Sequence, residues 1–256
     1  MPDAKKTPIA LITGGGRGLG RSMALHLAGR GVDIILTYRA AVAEASDVCE
    51  QVRAFGRKAV ALKLDVIDSA SFDAFGKSVA AELESTFRRK QFDFLVNNAG
   101  TSLHASIAET TEAQLDEVYT VHFKAPFLLT QRLLPLITDG GRIINVSSGL
   151  ARMTMPGSSA YGAMKAAVET FTRYAAKELA GRKITANVIA PGAIATDFSG
   201  GRVRDNPEIN KMVVSMTALG RVGLPEDIGG AVAMLLAPES GWINGQRIEA
   251  SGGMNL

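Results

Sequence analysis

Ile9-Ala10-Leu11-Ile12-Thr13-Gly14-Gly15-Gly16-Arg17-Gly18-Leu19-Gly20 is the stretch that decides the fold. Its unbroken apolar opening suits a strand buried on both faces, as in parallel sheets. The glycines behind it allow a tight turn into a helix and let backbone N–H groups close on a pyrophosphate at the helix N-terminus. The spacing Gly14-x3-Gly18-x-Gly20 departs from the usual G-x-G-x-x-G, and a glycine turn also serves as a plain connector. The pattern of the remaining chain decides between the two.

Outward from this turn, short apolar runs alternate with longer amphipathic ones. Residues 9–13, 33–37, 59–64, 92–97, 142–147, 185–190 and 246–249 read as strands. Residues 19–30, 41–55, 69–89, 112–134, 158–180 and 225–236 read as helices. That βαβα rhythm predicts an α/β fold: a Rossmann-type, doubly wound parallel sheet of about seven strands flanked by helices. With no linker, repeat or composition shift, residues 1–256 read as one domain. Ligands of such sheets bind at the carboxyl ends of the strands.

Composition narrows the rest. At 46% hydrophobic and 21% charged residues, the 256-residue chain can bury a sizeable core and is not intrinsically disordered. The single cysteine, Cys49, suits a reducing compartment, and three scattered histidines make no zinc site; no metal is expected. A net charge of +3 is compatible with anionic ligands without requiring nucleic acid. The apolar runs are too short to span a bilayer or form a signal-peptide core, so a cytoplasmic protein with neither a nucleic acid nor a membrane partner is expected.

The second strand ends Thr37-Tyr38-Arg39, where NAD binders usually carry a carboxylate for the ribose 2′-hydroxyl. An Arg there suits a 2′-phosphate, and Arg17 can close on the same group; both also read as ordinary surface arginines. Together they favour NADP(H) over NAD(H). Further on, Ser148 comes just after the fifth strand, and Tyr161 and Lys165 stand four residues apart, on one helical face. A nearby ammonium favours phenolate, which draws a tyrosine toward the range useful for acid–base work. Ser148 is then placed to hydrogen-bond the same substrate oxygen.

These residues jointly resemble the short-chain dehydrogenase/reductase superfamily, in particular its 3-oxoacyl-carrier-protein-reductase-like members, over essentially the whole chain. The likeness rests on Thr13, Gly14, Gly16, Arg17, Gly18, Leu19 and Gly20 of the turn, on Asp65-Val66, and on Asn97-Asn98-Ala99-Gly100. It continues through Ser148, Tyr161 and Lys165 to Pro191-Gly192-Ala193-Ile194-Ala195-Thr196. The resemblance implies hydride transfer between a nicotinamide and a carbonyl or secondary alcohol. Tyr161 would act as general acid/base, Ser148 would polarise the carbonyl and Lys165 would hold ribose hydroxyls. Asp65 and Val66 would lie beside adenine; Pro191, Gly192, Ile194 and Thr196 would hold the carboxamide. The resemblance further implies a substrate lid over residues 195–219, and a homotetramer with one interface formed by helices 112–134 and 158–180. The substrate would be a small carbonyl compound, a carrier-linked acyl chain among the options.

One position departs from the family. His122 stands where a relay Asn is usual, either replacing it in the proton relay or adding a pH dependence, or else packing beneath the site. Met153, Met155, Phe198, Met212, Met216 and Met254 are candidates for an adaptable apolar pocket, and Arg202 and Arg204 for attraction of an anion, with core and solvated-loop roles as the alternatives. Two other classes fit the residues less well. A non-catalytic NADP(H) sensor on the same fold is disfavoured by the intact Ser148, Tyr161 and Lys165. An S-adenosylmethionine methyltransferase normally wants an acid where Arg39 stands. Should His122 serve the relay, His122→Asn changes the pH–rate profile. If Arg39 reads the 2′-phosphate, Arg39→Ala lowers the ratio of NADPH to NADH efficiency, and an unchanged ratio in steady-state kinetics removes the assignment.

Overall fold

In the computed structural model, which describes residues 6–256, each apolar run becomes a strand. These are β1 (Ile9–Ile12), β2 (Asp33–Tyr38), β3 (Ala59–Lys63), β4 (Phe92–Asn97), β5 (Ile137–Val146), β6 (Thr185–Pro191) and β7 (Arg247–Ala250). The helices between them are α1 (Gly18–Gly29), α2 (Val42–Ala54), α3 (Phe72–Glu82), α4 (Glu112–Tyr119), α5 (Ala125–Leu133), α6 (Ser159–Glu178), α7 (Arg202–Asp205), α8 (Pro207–Met216) and α9 (Pro225–Leu235). All strand pairs are parallel, in the order β3-β2-β1-β4-β5-β6-β7. The chain winds outward in both directions from β1 and β4, and the resulting switch point opens a crevice at their carboxyl ends.

The two-residue period of the strands divides the core into two layers. From β1, Ala10 and Ile12 face α1, α2 and α9, while Ile9 and Leu11 face α3, α5 and α6. All four are fully buried, as the unbroken apolar run predicts. Each large side chain so buried contributes roughly 1.5–3 kcal/mol of transfer free energy.

Two expected helices are interrupted, each for a visible reason. The 69–89 run becomes a short 3₁₀ turn, α3, and a wide π turn over Leu83–Phe87 that keeps both Leu83 and Phe87 buried. Arg88 is left-handed (φ 59°) and reverses the chain; Arg89 then pairs with Asp93 at 2.7 Å. The 112–134 run is α4 and α5 joined by a π turn over Thr120–Lys124. Pro126 has no N–H to return to the carbonyl of His122, which loosens the helix there. β5 begins earlier than the apolar run because Ile137 pairs with Phe92 before a register shift resumes pairing at Phe94 and Arg142. Among the described residues no helix is long and apolar enough to cross a membrane.

Candidate active site

At the switch point the glycine turn is tied down by its neighbours. Thr13 Oγ1 accepts hydrogen bonds from Asn98 N (2.9 Å) and Ala99 N (3.0 Å), and Asn98 Nδ2 donates to the carbonyls of Thr13 (2.9 Å) and Gly14 (3.1 Å). Thr37 Oγ1 accepts from Gly14 N at 3.1 Å, joining the turn to β2. A Cβ on Gly20 would collide with Gly14 O, so only glycine lets the turn fold back on its own helix. The first turn of α1 starts from extended Arg17 with no side-chain cap, which leaves its N–H groups at the carboxyl end of β1 without a side-chain acceptor. Donors of this kind, in a cradle that added side chains would fill, fit a dinucleotide phosphate.

The other residues expected to hold a cofactor line the same edge. Tyr38 is half-buried at the tip of β2, and Arg39 and Arg17 are exposed. Asp65 and Val66, just past β3, are half-buried, and Asp65 Oδ1 accepts from Ile67 N at 3.0 Å. Pro191 ends β6, with Gly192, Ile194 and Thr196 behind it; Gly18 lies across from Thr196, whose methyl would be 3.8 Å from a Cβ there. Arg204 is held by Asp197 and Asp205, each at 2.7 Å, so its charge is already paired on the surface. Phe198 has its ring 6.3 Å from that of Tyr161, bringing the 195–219 segment to the phenol. Met254 is buried, whereas Met212 is 45% exposed.

Ser148 sits just past β5, and its Oγ accepts from Leu150 N at 3.2 Å. Tyr161 and Lys165 are buried on one face of α6, with Lys165 Nζ 5.5 Å from the phenol ring centre and donating to Val146 O at 2.7 Å. Burial pushes the Tyr161 phenol up to about 12, against the opposing Ser148 hydroxyl, and pushes the Lys165 ammonium down to about 7. The chain's own groups therefore do not produce the acidic phenol that the four-residue spacing implied. Desolvation disfavours both charged forms, and an ammonium driven toward neutrality is a weak electrostatic partner.

His122 lies in the π turn, its ring edge-on to Tyr161 at 5.0 Å. Nε2 donates to Thr101 O at 2.8 Å, while Nδ1 is buried with no partner. A Cβ on Gly100 would meet the imidazole at 3.0 Å, so the glycine that ends Asn-Asn-Ala-Gly makes room for the ring. Burial first, and the nearby Lys165 charge second, push the imidazole down to about 2. The expected pH dependence through imidazolium is thus corrected: His122 stays neutral across the physiological range.

A sequence profile described as Enoyl-(Acyl carrier protein) reductase matches residues 14–255. A hydroxynaphthalene reductase-like protein, Arp2 of Metarhizium brunneum, is 36% identical over 99% of each chain. The chain is a short-chain dehydrogenase/reductase. Among solved structures, the promiscuous reductase LugOII, which carries out keto-reduction at C1 in lugdunomycin biosynthesis, is 37% identical over 97% of this chain and 98% of its own, with a TM-score of 0.92. The angucycline C-6 ketoreductase LanV with bound NADP is 33% identical over 97% and 95%, also at TM-score 0.92. Like these relatives, this reductase is an NAD(P)-dependent oxidoreductase acting between carbonyl and alcohol.

Sequence reading missed the contacts that several residues make around this reductase's site. Thr101 O fixes the His122 ring; Asn97 Nδ2 donates to Thr130 Oγ1 (3.1 Å) and Asn145 Oδ1 (2.8 Å), and Asn145 Nδ2 to Thr172 Oγ1 (2.9 Å), beneath the crevice. For Asn97 and Asn145 the available signal was a polar residue inside an otherwise apolar strand; Thr101, in a loop, and Thr130 and Thr172, on α5 and α6, gave none. His122 also generates a stability prediction. An unfolded chain protonates its histidine near 6.5, the folded one only near 2, so the unfolded state binds the extra proton in between and folding weakens as pH falls through that window. The melting temperature of the native chain should drop more steeply between about pH 7 and 5 than that of His122→Asn; parallel curves in a thermal melt would show the ring is not held neutral.

Proposed function

We propose that this protein is an NADPH-dependent ketoreductase that reduces a ring ketone of a hydroxylated, fused-ring aromatic compound. The observation that carries it is the buried Tyr161–Lys165 pair one turn apart on α6, at the carboxyl edge of the sheet beside Ser148. The substrate class is supported by the relatives, one named a hydroxynaphthalene reductase-like protein and one an angucycline C-6 ketoreductase. Phe198, whose ring lies 6.3 Å from that of Tyr161, offers a flat apolar surface that suits an aromatic ring better than a charged chain.

When bound, NADP(H) supplies hydride at nicotinamide C4. The glycine turn and the α1 N-terminus would hold its pyrophosphate, Arg17 and Arg39 would grip the 2′-phosphate, and Asp65 with Val66 would flank adenine. Asn98, Ala99 and Gly100 would border the cofactor, with Pro191, Gly192, Ile194 and Thr196 holding the carboxamide. Ser148 donates to the substrate oxygen. Tyr161, whose raised pKa keeps it protonated at neutral pH, gives its proton to the developing alkoxide. The proton that Tyr161 gives up is replaced from solvent by way of Lys165, and neutral His122 positions the phenol through its edge-on contact. Residues 195–219 close over the ring, with a kink at Ser199, Gly200 and Gly201, all left-handed, as the hinge.

We further infer a homotetramer. Tyr119, Phe127 and Tyr174 are 42%, 41% and 64% exposed, and aromatic contacts run from Tyr119 through Phe123 and Phe127 to Phe171. This row lies on α4, α5 and α6, the helices expected at an interface, and exposed aromatic surface of this extent favours a second copy. Light scattering should give four copies of the 27.0 kDa chain, and Phe127→Glu should give smaller species; a native monomer would exclude the assembly.

The activity itself is tested by NADPH consumption on a panel of tetralones, hydroxynaphthalenes, decalones and 3-oxoacyl thioesters. Bicyclic aromatic ketones should be the best substrates. Tyr161→Phe should lower kcat on the order of 10²–10⁴-fold while retaining NADPH binding. Preference for the thioesters would overturn the substrate class, and unaltered turnover in Tyr161→Phe would overturn the proton donor.

A further inference from the structure

Behind Ser148 lies a second charged cluster that the proton transfer does not use. Glu169 stands one turn beyond Lys165, so Tyr161, Lys165 and Glu169 recur at four-residue intervals along α6. Its Oε1 accepts from Ser147 Oγ at 2.6 Å and from Arg247 Nε at 2.8 Å. Arg247, the first residue of β7, also donates to Glu249 Oε2 at 2.8 Å and to the main-chain oxygen of Ser148 at 3.3 Å. The Glu169 and Arg247 side chains are only 11% and 17% exposed. Arg152, 66% exposed, touches only the outer end of the cluster, at Glu249.

The placement matters because the pairing of β5 with β6 ends at Val146–Ile189. Beyond it one further backbone bond, Ser147 N to Ile189 O at 2.8 Å, holds the strand, and Ser148 then continues in extended conformation (φ −158°, ψ 153°). The direction of the Ser148 hydroxyl thus depends on what grips its main chain. Packing alone would be served as well by apolar residues as by a half-buried ion pair, which brings desolvation cost. What a bidentate-capable guanidinium adds is direction: it links α6, β7 and the serine carbonyl in one fixed fork.

We propose that Glu169 and Arg247 are positioning residues for the catalytic serine, bracing Ser147 and Ser148 between α6 and β7 so that the Ser148 hydroxyl meets the same oxygen as Tyr161. The inference rests on the proposed roles of Ser148 and Tyr161 in ketone reduction. Positional errors of an ångström at reacting groups cost on the order of a hundredfold in rate. Arg247→Met should therefore lower kcat by roughly ten- to a hundredfold with KM for NADPH within about twofold of native. Glu169→Gln, which keeps an acceptor for Ser147, should cost less, Arg247→Lys should restore part of the loss, and Arg152→Ala should be silent.

The deciding measurement is a double-mutant cycle. On a Ser148→Ala background Arg247→Met should cause no further loss, because a brace acts only through the hydroxyl it aims. Losses that multiply, or a native kcat in a folded Arg247→Met with a lowered melting temperature, would overturn the proposal and leave the pair a plain strand tie. If the native chain reduces no ketone, the functional reading falls first, and the brace is then judged by amide exchange over residues 147–151. Exchange should rise at least about fivefold in Arg247→Met relative to Arg152→Ala, and equal exchange would overturn it.

Discussion

Lys165 Nζ, on a buried side chain, donates to the carbonyl of Val146, the last residue of β5, at 2.7 Å. That bond fixes where α6 meets the sheet. It sets the depth of Tyr161 one turn earlier and of Glu169 one turn later, and it holds the polar stripe of the helix at the strand ends. A buried amine without this acceptor would leave a donor unsatisfied, at a cost of about 1–3 kcal/mol, so the helix has one favourable register against β5. The rest of the site is hung from that register: Ser148 on the strand side, the His122 ring edge against the phenol, and Phe198 above it.

The same logic recurs along the carboxyl edge of the sheet, where each strand runs out of backbone partners and a side chain takes over. Thr13 receives two N–H groups from the loop after β4, Asn98 returns two bonds to the glycine turn, and Thr37 holds that turn from β2. Asn97, Asn145, Thr130 and Thr172 form a buried polar layer one step below. A doubly wound sheet needs such stitching because its switch point is a gap between two crossovers that leave in opposite directions. Rigid strand ends around an open crevice are what a preorganised site requires.

How much of this the sequence carried depends on range. The β1 run and the Gly14–Gly20 turn were legible because strand burial and the backbone demands of the turn act over neighbouring residues. The Tyr161–Lys165 face was legible because helical spacing is local too. Invisible were effects that bring together distant positions: Arg247 reaches Glu169 across 78 residues and Ser148 across 99, and Thr101 fixes His122 across 21. The π turn at Thr120–Lys124 escaped because the apolar period runs on through it, although Pro126 marks the place. The direction of the pKa changes escaped for another reason. Spacing announced an attraction between phenol and ammonium, but burial is a property of the finished fold, and here it is the larger effect on both.

That dominance of burial bears on the protonation states in the site. A phenol pushed up to about 12 is protonated at neutral pH and has a proton to give. The same burial pushes the Lys165 amine down to about 7, so that it does not carry a permanent buried charge. A neutral imidazole next to both adds no competing positive charge and no extra titration, as its value near 2 requires. An asparagine at that place would supply hydrogen-bonding groups of fixed protonation in the same way. At this position the fold removes the property that distinguishes histidine from an amide, its charge near neutrality.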